Sequence, residues 1–193
     1  MKYLKLIFKI IRILLQRIRK QGLITTVVWL YARGVPIVTG VPILKYSKIT
    51  DKIYIGPQYG KAGKTRLEAE GIHNSVNMRI EYDDAENGLA LDNYCYLPTV
   101  DDDAPTPEHL EEGVAFIRNA IEADGKVYIH CAGGIGRAPT IAAAYFIHSG
   151  MSLDEALHLI RQTRPFINIM PVQMVALKEY EKQQRETVGS NSV

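Results

Sequence analysis

Not one aspartate or glutamate precedes Asp51. Residues 1–50 carry ten Lys/Arg and no acid, whereas residues 51–193 carry thirteen basic and twenty-one acidic side chains. The overall charge of +2 therefore conceals a basic head on a body of net −8, which implies two parts with different surroundings. Cysteine is almost absent: Cys95 and Cys131 stand alone in 193 residues. Two thiols make no disulfide framework, and the reducing cytoplasm, where a free thiol can serve as a nucleophile, is the expected compartment. The five histidines lie scattered at 73, 109, 130, 148 and 158, with no Cys/His ligand cluster. No metal and no other cofactor is expected. Internal repeats and low-complexity stretches are also missing. With 47% hydrophobic and 23% charged residues, the composition is that of one globular domain plus an appendage.

Long uninterrupted apolar runs are lacking as well. Residues 2–20 (KYLKLIFKIIRILLQRIRK) contain seven basic side chains, which argues against a membrane span. Lys2, Lys5, Lys9, Arg12, Gln16 and Arg19 recur at helical spacing, so a basic amphipathic helix is expected, polar on one face and apolar over the rest. Such a helix suits the interface of an anionic membrane, and peripheral membrane attachment is the preferred reading. Two others stay open: docking of the apolar face on the rest of the chain, and an acid-free mitochondrial targeting segment. The next apolar stretch, LITTVVWLY (23–31), is too short to span a bilayer. Residues 1–45 are thus read as a basic, apolar N-terminal segment, 46–186 as the globular domain and 187–193 as a disordered tail.

Within the domain, strands are expected at DKIYIG (51–56), SVNMRI (75–80), NYCYLPTV (93–100) and KVYIH (126–130). Helices are expected around 61–71, from Thr106-Pro107 with Thr106 as N-cap, and after the fourth strand up to Gly150. A further helix begins at the Ser152/Glu155 capping box and a last one near Pro171. Alternating strands and helices predict an α/β fold: a central, largely parallel sheet with helices on both faces. Cys95, between Tyr94 and Tyr96 in a strand, reads as core.

The chemistry lies in His130-Cys131-Ala132-Gly133-Gly134-Ile135-Gly136-Arg137. A cysteine ends a buried strand, and an arginine five residues later opens a helix. Three glycines in between let the backbone curl and aim several N–H groups at one point. Those amides and the helix N-terminus form an anion site, and their field favours a thiolate at Cys131. Arg137 adds a planar fork that matches two phosphate oxygens. Ala132, Gly133, Gly134, Ile135, Gly136 and Arg137 are therefore the candidate phosphate cradle. Gly134-Ile135-Gly136 resembles the start of a dinucleotide fingerprint, but Pro139 takes the place of its third glycine and the Lys-Ser/Thr pair of a nucleoside-triphosphate loop is missing, so a nucleotide-binding protein is a distant third reading. No nucleic-acid partner is expected.

The string resembles the signature of the protein tyrosine phosphatases: His-Cys, five residues, then Arg. The resemblance covers roughly residues 48–182. KITDKIYIGPQ looks like the opening strand of the dual-specificity phosphatases, and MSLDEALHLIRQTRPFIN like their helix and following turn. YLPTVDDDAPTPEHLEEGVAFI is similar to their general-acid loop. The resemblance implies a cysteine-dependent phosphomonoester hydrolase working through a phosphocysteine, with Cys131 as nucleophile. It places the acid on an Asp some thirty residues earlier; Asp101 is the first choice, with Asp102 and Asp103 as neighbours that the sequence does not separate. His130 and Asn168 fall on positions that support the loop.

One departure matters: the Ser or Thr that the family places after the arginine is Ala138 here. The phosphatases of regenerating liver share the Arg-Ala-Pro pattern, so the departure does not exclude activity. The five loop residues are neutral, whereas lipid-directed relatives carry Lys or Arg there. That favours a phosphorylated protein, phosphotyrosine first, over a phospholipid. The basic N-terminus pulls toward the lipid, as does a faint similarity of Arg79-Ile80-Glu81-Tyr82-Asp83-Asp84 to an acidic loop of the phosphatidylglycerophosphate phosphatases. A weakly active phosphatase-like binding module is the alternative of another class.

Overall fold

The computed structural model describes residues 45–190 continuously, the last three by backbone alone, together with nine residues between positions 15 and 30. The chain divides into two compact units, Met1–Ile43 and Leu44–Val193. In the first, Leu15, Ile18 and Arg19 are helical, as are Leu23, Ile24, Thr26, Val27 and Leu30. The expected 2–20 helix otherwise lies outside the described residues.

The second unit is built on five strands: β1 (Ser47–Lys48), β2 (Ile53–Gly56), β3 (Ile72–Arg79), β4 (Asn93–Thr99) and β5 (Lys126–His130). Five helices accompany them: α1 (Lys61–Ala69), α2 (Pro107–Glu122), α3 (Arg137–His148), α4 (Leu153–Thr163) and α5 (Pro171–Ser190). The sheet runs in the order β1-β2-β5-β3-β4. Only β1 pairs antiparallel; β2–β5, β5–β3 and β3–β4 are parallel. The edge strand β1 carries no sequence signal, since two residues are too few to show a period.

Side-chain alternation sorts the two faces. Ile53, Ile55, Val76, Met78, Val127 and Ile129 join the large core with α2–α5, around an α3 that is buried almost throughout. Tyr54 and Tyr128 point the other way and form a small core with Tyr59, Ile72, Leu89, Leu91 and Leu67 of α1. Removing so many fully buried Ile, Val and Leu side chains from water, at about 25 cal/mol per Å² of apolar surface, is the main stabilising term. The caps expected at both helix starts are present: Thr106 Oγ accepts from His109 N–H, and Ser152 and Glu155 form a reciprocal box.

Of the tail expected to be disordered from residue 187, residues 187–190 continue α5 to Ser190, and 191–193 lie outside the described residues. The last turns of α5 hold ion pairs one helical turn apart, Glu181–Arg185 and Lys182–Glu186, and Thr187 Oγ donates to Gln183 O.

Candidate active site

Because β2, β3, β4 and β5 run parallel, their C-terminal ends meet at one edge of the sheet, the usual place for a site in open α/β sheets. The ends deliver Gly56–Gln58, Arg79–Glu81, Thr99–Asp101 and His130–Cys131. The loop 131–136 then turns into α3, so Arg137 occupies the first helical position.

Cys131 is a buried free thiol, and its Sγ accepts from Gly134 N–H at 3.2 Å. Gly134 needs to be glycine. Its φ is +64°, and a Cβ there would lie 2.4 Å from Gly56 O and 2.7 Å from an Arg164 nitrogen. Arg164 is fully buried. It donates from Nε to Gly134 O (2.6 Å) and from Nη2 to Gly133 O (2.9 Å). It also reaches Lys45 O and Ser47 Oγ and stacks on Phe166. Asn168 N–H donates to Ile135 O, tying down the loop from a third direction. Burial pushes the Arg164 guanidinium down to about 10, which still leaves a cation near Cys131 at neutral pH.

Arg137, only 1% exposed, is held on the side away from the loop. Nη1 donates to Thr99 O (2.7 Å) and Met78 O (3.2 Å). Nη1 and Nη2 form a fork on Glu81, both at 2.9 Å, and Nη2 lies 3.0 Å from Asp101 Oδ1. Burial works against charge on both partners. Even so, the Arg137 and Arg79 contacts hold Glu81 down to about 2, and the Arg137 guanidinium is shifted up. Arg137 Nε, equally buried, has no hydrogen-bond partner among the described residues, so a charged donor near Cys131 is open to an anion.

The structure brings Cys131, Arg137 and Asp101 together, as the sequence leads one to expect. Asp102 has a left-handed backbone (φ +68°), and Asp103 is tied by its carbonyl to Gln173 Nε2; of the three, Asp101 is the one that meets Arg137. Cys95 is core: burial pushes its thiol up to about 12. Thr140, the nearest hydroxyl beyond Ala138, donates to Gly136 O at 2.9 Å.

Three side chains at the site receive no role of their own in the sequence reading, although they lie in stretches it quotes. Glu81 carries the fork on Arg137, Arg164 braces the loop, and Asp84 meets His130: Asp84 Oδ2 lies 2.8 Å from His130 Nε2, with both side chains fully buried.

Comparison with known proteins agrees with this geometry. The family described as dual specificity phosphatase, catalytic domain, matches residues 53–183, and the chain belongs to that family of protein-tyrosine-phosphatase-type phosphatases. Among curated relatives, mouse dual specificity protein phosphatase 1 is 30% identical over 156 residues, covering 80% of this chain and 39% of that protein. Human phosphatidylglycerophosphatase and protein-tyrosine phosphatase 1 is 39% identical over 89 residues, 45% of this chain and 44% of that protein. The chain thus spans about two fifths of these relatives. Among solved structures, PTPMT1 in complex with PI(5)P superposes with a TM-score of 0.67 at 27% identity, over 74% of this chain and 98% of that one. Human DUSP28, at 22% identity, shares the fold with a TM-score of 0.64.

Proposed function

We propose that this chain hydrolyses phosphomonoesters through a phosphocysteine on Cys131. The observation that carries the reading is the buried, unpartnered Nε of Arg137 beside a thiol that already accepts a loop N–H. Cys131 sulfur attacks phosphorus as a thiolate, a P–S bond forms and the P–O bond to the leaving group breaks. Asp101, in its protonated form, gives its proton to the leaving oxygen. The same carboxylate then takes a proton from a water that attacks phosphorus, the P–S bond breaks, and inorganic phosphate leaves. Arg137 Nε and the loop amides carry the charge on the phosphoryl oxygens throughout.

Phosphotyrosine in a protein is the favoured substrate, since no loop side chain between Cys131 and Arg137 is cationic. The phospholipid reading gains support from the similarity to the human phosphatidylglycerophosphatase and to PTPMT1, and from the acidic Glu81 loop. In the N-terminal unit Leu15, Leu23, Ile24, Val27 and Leu30 are exposed, Ile24 at 81%. Among the described residues no helix is long and apolar enough to cross a membrane. The exposed apolar side chains and the basic sequence around them support an enzyme held at an anionic membrane surface by its N-terminal head.

The test is phosphate release in the presence of a chelator, from a phosphotyrosine peptide in solution and from phosphatidylglycerophosphate in anionic vesicles, with co-sedimentation of the full chain on those vesicles. Faster turnover on the peptide with vesicle binding is the expected result. Strict dependence on a divalent metal would sink the cysteine mechanism, and a faster lipid reaction would replace the protein substrate.

Ala138 adds a kinetic expectation. The hydroxyl that would support the departing thiolate is missing, and Thr140 is already engaged with Gly136 O. One charge-assisted hydrogen bond is worth about 1.5–3 kcal/mol, roughly ten- to hundredfold in rate if it acts only in the transition state. The phosphoenzyme should therefore accumulate at steady state, and Ala138→Ser should deplete it. Intact-mass measurement on quenched reactions reads both; equal, undetectable phosphoenzyme in the two proteins would refute the assignment.

A further inference from the structure

His130 and Asp84 present an unusual pair. Both side chains are fully buried, and the 2.8 Å approach of Nε2 to Oδ2 is a close polar contact bent away from a straight hydrogen bond. Burying a carboxylate and an imidazole costs more than filling the same space with apolar side chains, unless the pair does something an apolar pair cannot. Two aromatic rings lie against His130, Tyr59 at 5.1 Å and Tyr128 at 5.6 Å between ring centroids. Burial holds both phenols neutral. The charge facing the imidazole is that of Asp84, which stays ionised despite its burial because the His130 and Gln58 contacts outweigh it.

The carboxylate does not stop at histidine. Its other oxygen accepts from Gln58 Nε2 at 2.7 Å, and Gln58 Oε1 accepts from Arg79 Nη1 at 2.9 Å. Arg79 Nε donates to Glu81 at 3.0 Å, and Glu81 forks onto Arg137. The Gln58 main-chain N–H also donates to Ala132 O of the loop, at 3.3 Å. The loop segment is thus closed from outside by a polar chain that starts at His130 and ends at Arg137. Asp84 itself is anchored: its carbonyl accepts from Leu89 N–H and Ala90 N–H, and its own N–H donates to Tyr94 OH.

We propose that Asp84 is a positioning residue for the phosphatase reaction, fixing His130 beside the nucleophile and, through Gln58, Arg79 and Glu81, the guanidinium of Arg137. One buried carboxylate then sets the distance and angle between the attacking sulfur and the phosphate clamp. A carboxylate opposite Nε2 requires the proton on that nitrogen, so it also selects the imidazole tautomer. In Asp84→Asn, Gln58 still donates to the amide oxygen, the amide N–H₂ faces His130, and the ring proton must move to Nδ1.

The inference rests on the phosphatase reading above, but its test uses readouts that need no turnover. Alkylation of Cys131 by iodoacetamide reads the nucleophile end; Cys95, pushed up to about 12, stays silent. Protection of that alkylation by inorganic phosphate reads the arginine end. In Asp84→Asn both should weaken, alkylation at neutral pH and phosphate affinity each by roughly tenfold. The ¹⁵N signature of the His130 ring should change from Nε2–H to Nδ1–H. Gln58→Met cuts only the second arm, so it should lower phosphate affinity by roughly tenfold while alkylation and the His130 signature stay as in the wild type. Glu86→Gln, an exposed carboxylate on the same loop, should match the wild type in every readout. Wild-type alkylation and phosphate affinity in folded Asp84→Asn would overturn the proposal, as would an equal loss in Glu86→Gln. Should Asp84→Asn not fold, Gln58→Met decides: unchanged phosphate affinity there overturns it.

Discussion

Cys131→Ser is expected to lower phosphate release from a small aryl phosphate by at least roughly 10⁴-fold, with the fold intact. The loss is chemical, not structural. Oxygen replaces sulfur within a loop held by Arg164, Asn168 and Gln58, none of which bonds to Sγ. A serine hydroxyl is a far weaker nucleophile toward phosphorus than a cysteine sulfur, so the attack that the proposed reaction needs is lost while the Gly134 N–H and the two guanidinium groups, Arg137 and Arg164, stay in place. Since those groups remain, the variant should still bind phosphopeptide with near wild-type affinity. Turnover that survives the substitution would mean that another group carries the reaction; abolished turnover with abolished phosphate binding would mean that the loop had collapsed.

Arg137→Lys should cost about 10³-fold in kcat/KM, although the charge is kept. The guanidinium spends Nη1 and Nη2 on Thr99 O, Met78 O, Glu81 and Asp101 while keeping Nε for the phosphate. An ammonium has neither the reach nor the fork to serve both sides. The substitution also has a signature in stability. Glu81, held at about 2 against an ordinary 4.5, contributes stability that is present above pH 4.5 and fades as pH falls toward 2. The contribution is modest because the side chain is about a third exposed. Thermal midpoints measured between pH 5 and 3 should therefore fall more steeply in the wild type than in Arg137→Lys. Parallel profiles would show that Glu81 draws its low value from Arg79 instead.

These two residues were legible in the sequence because the whole device is local: strand, six-residue turn and helix start lie within 126–148. The strands read from their β-branched runs and the helices from their caps for the same reason. Asp101 was legible through its distance from Cys131 along the chain, a feature that points to a loop but not to an atom. What stayed hidden depends on strand order. Glu81 meets Arg137 across 56 residues, and Asp84 meets His130 across 46, because β3 lies beside β5 in the sheet. In the sequence, Glu81–Asp84 is a polar stretch just past the strand expected at 75–80, with only the faint similarity of 79–84 to suggest a role. Arg164 lay inside a family-like motif but gave no sign of its own role, since an arginine at a helix end ordinarily faces water, and here it turns inward to the carbonyls of Gly133 and Gly134.

That inward turn has a consequence for handling the protein. Among the described contacts of Arg164 there is no carboxylate, only carbonyls, a hydroxyl and a ring. Its charge faces the Cys131 sulfur within the loop, so a small tetrahedral oxyanion seated in that loop is expected to be held there. Sulfate, vanadate and tungstate should then compete with substrate for the same place. The choice of buffer salt becomes part of the enzyme's apparent affinity, and a zwitterionic medium is the one in which its own preference for substrate can be read.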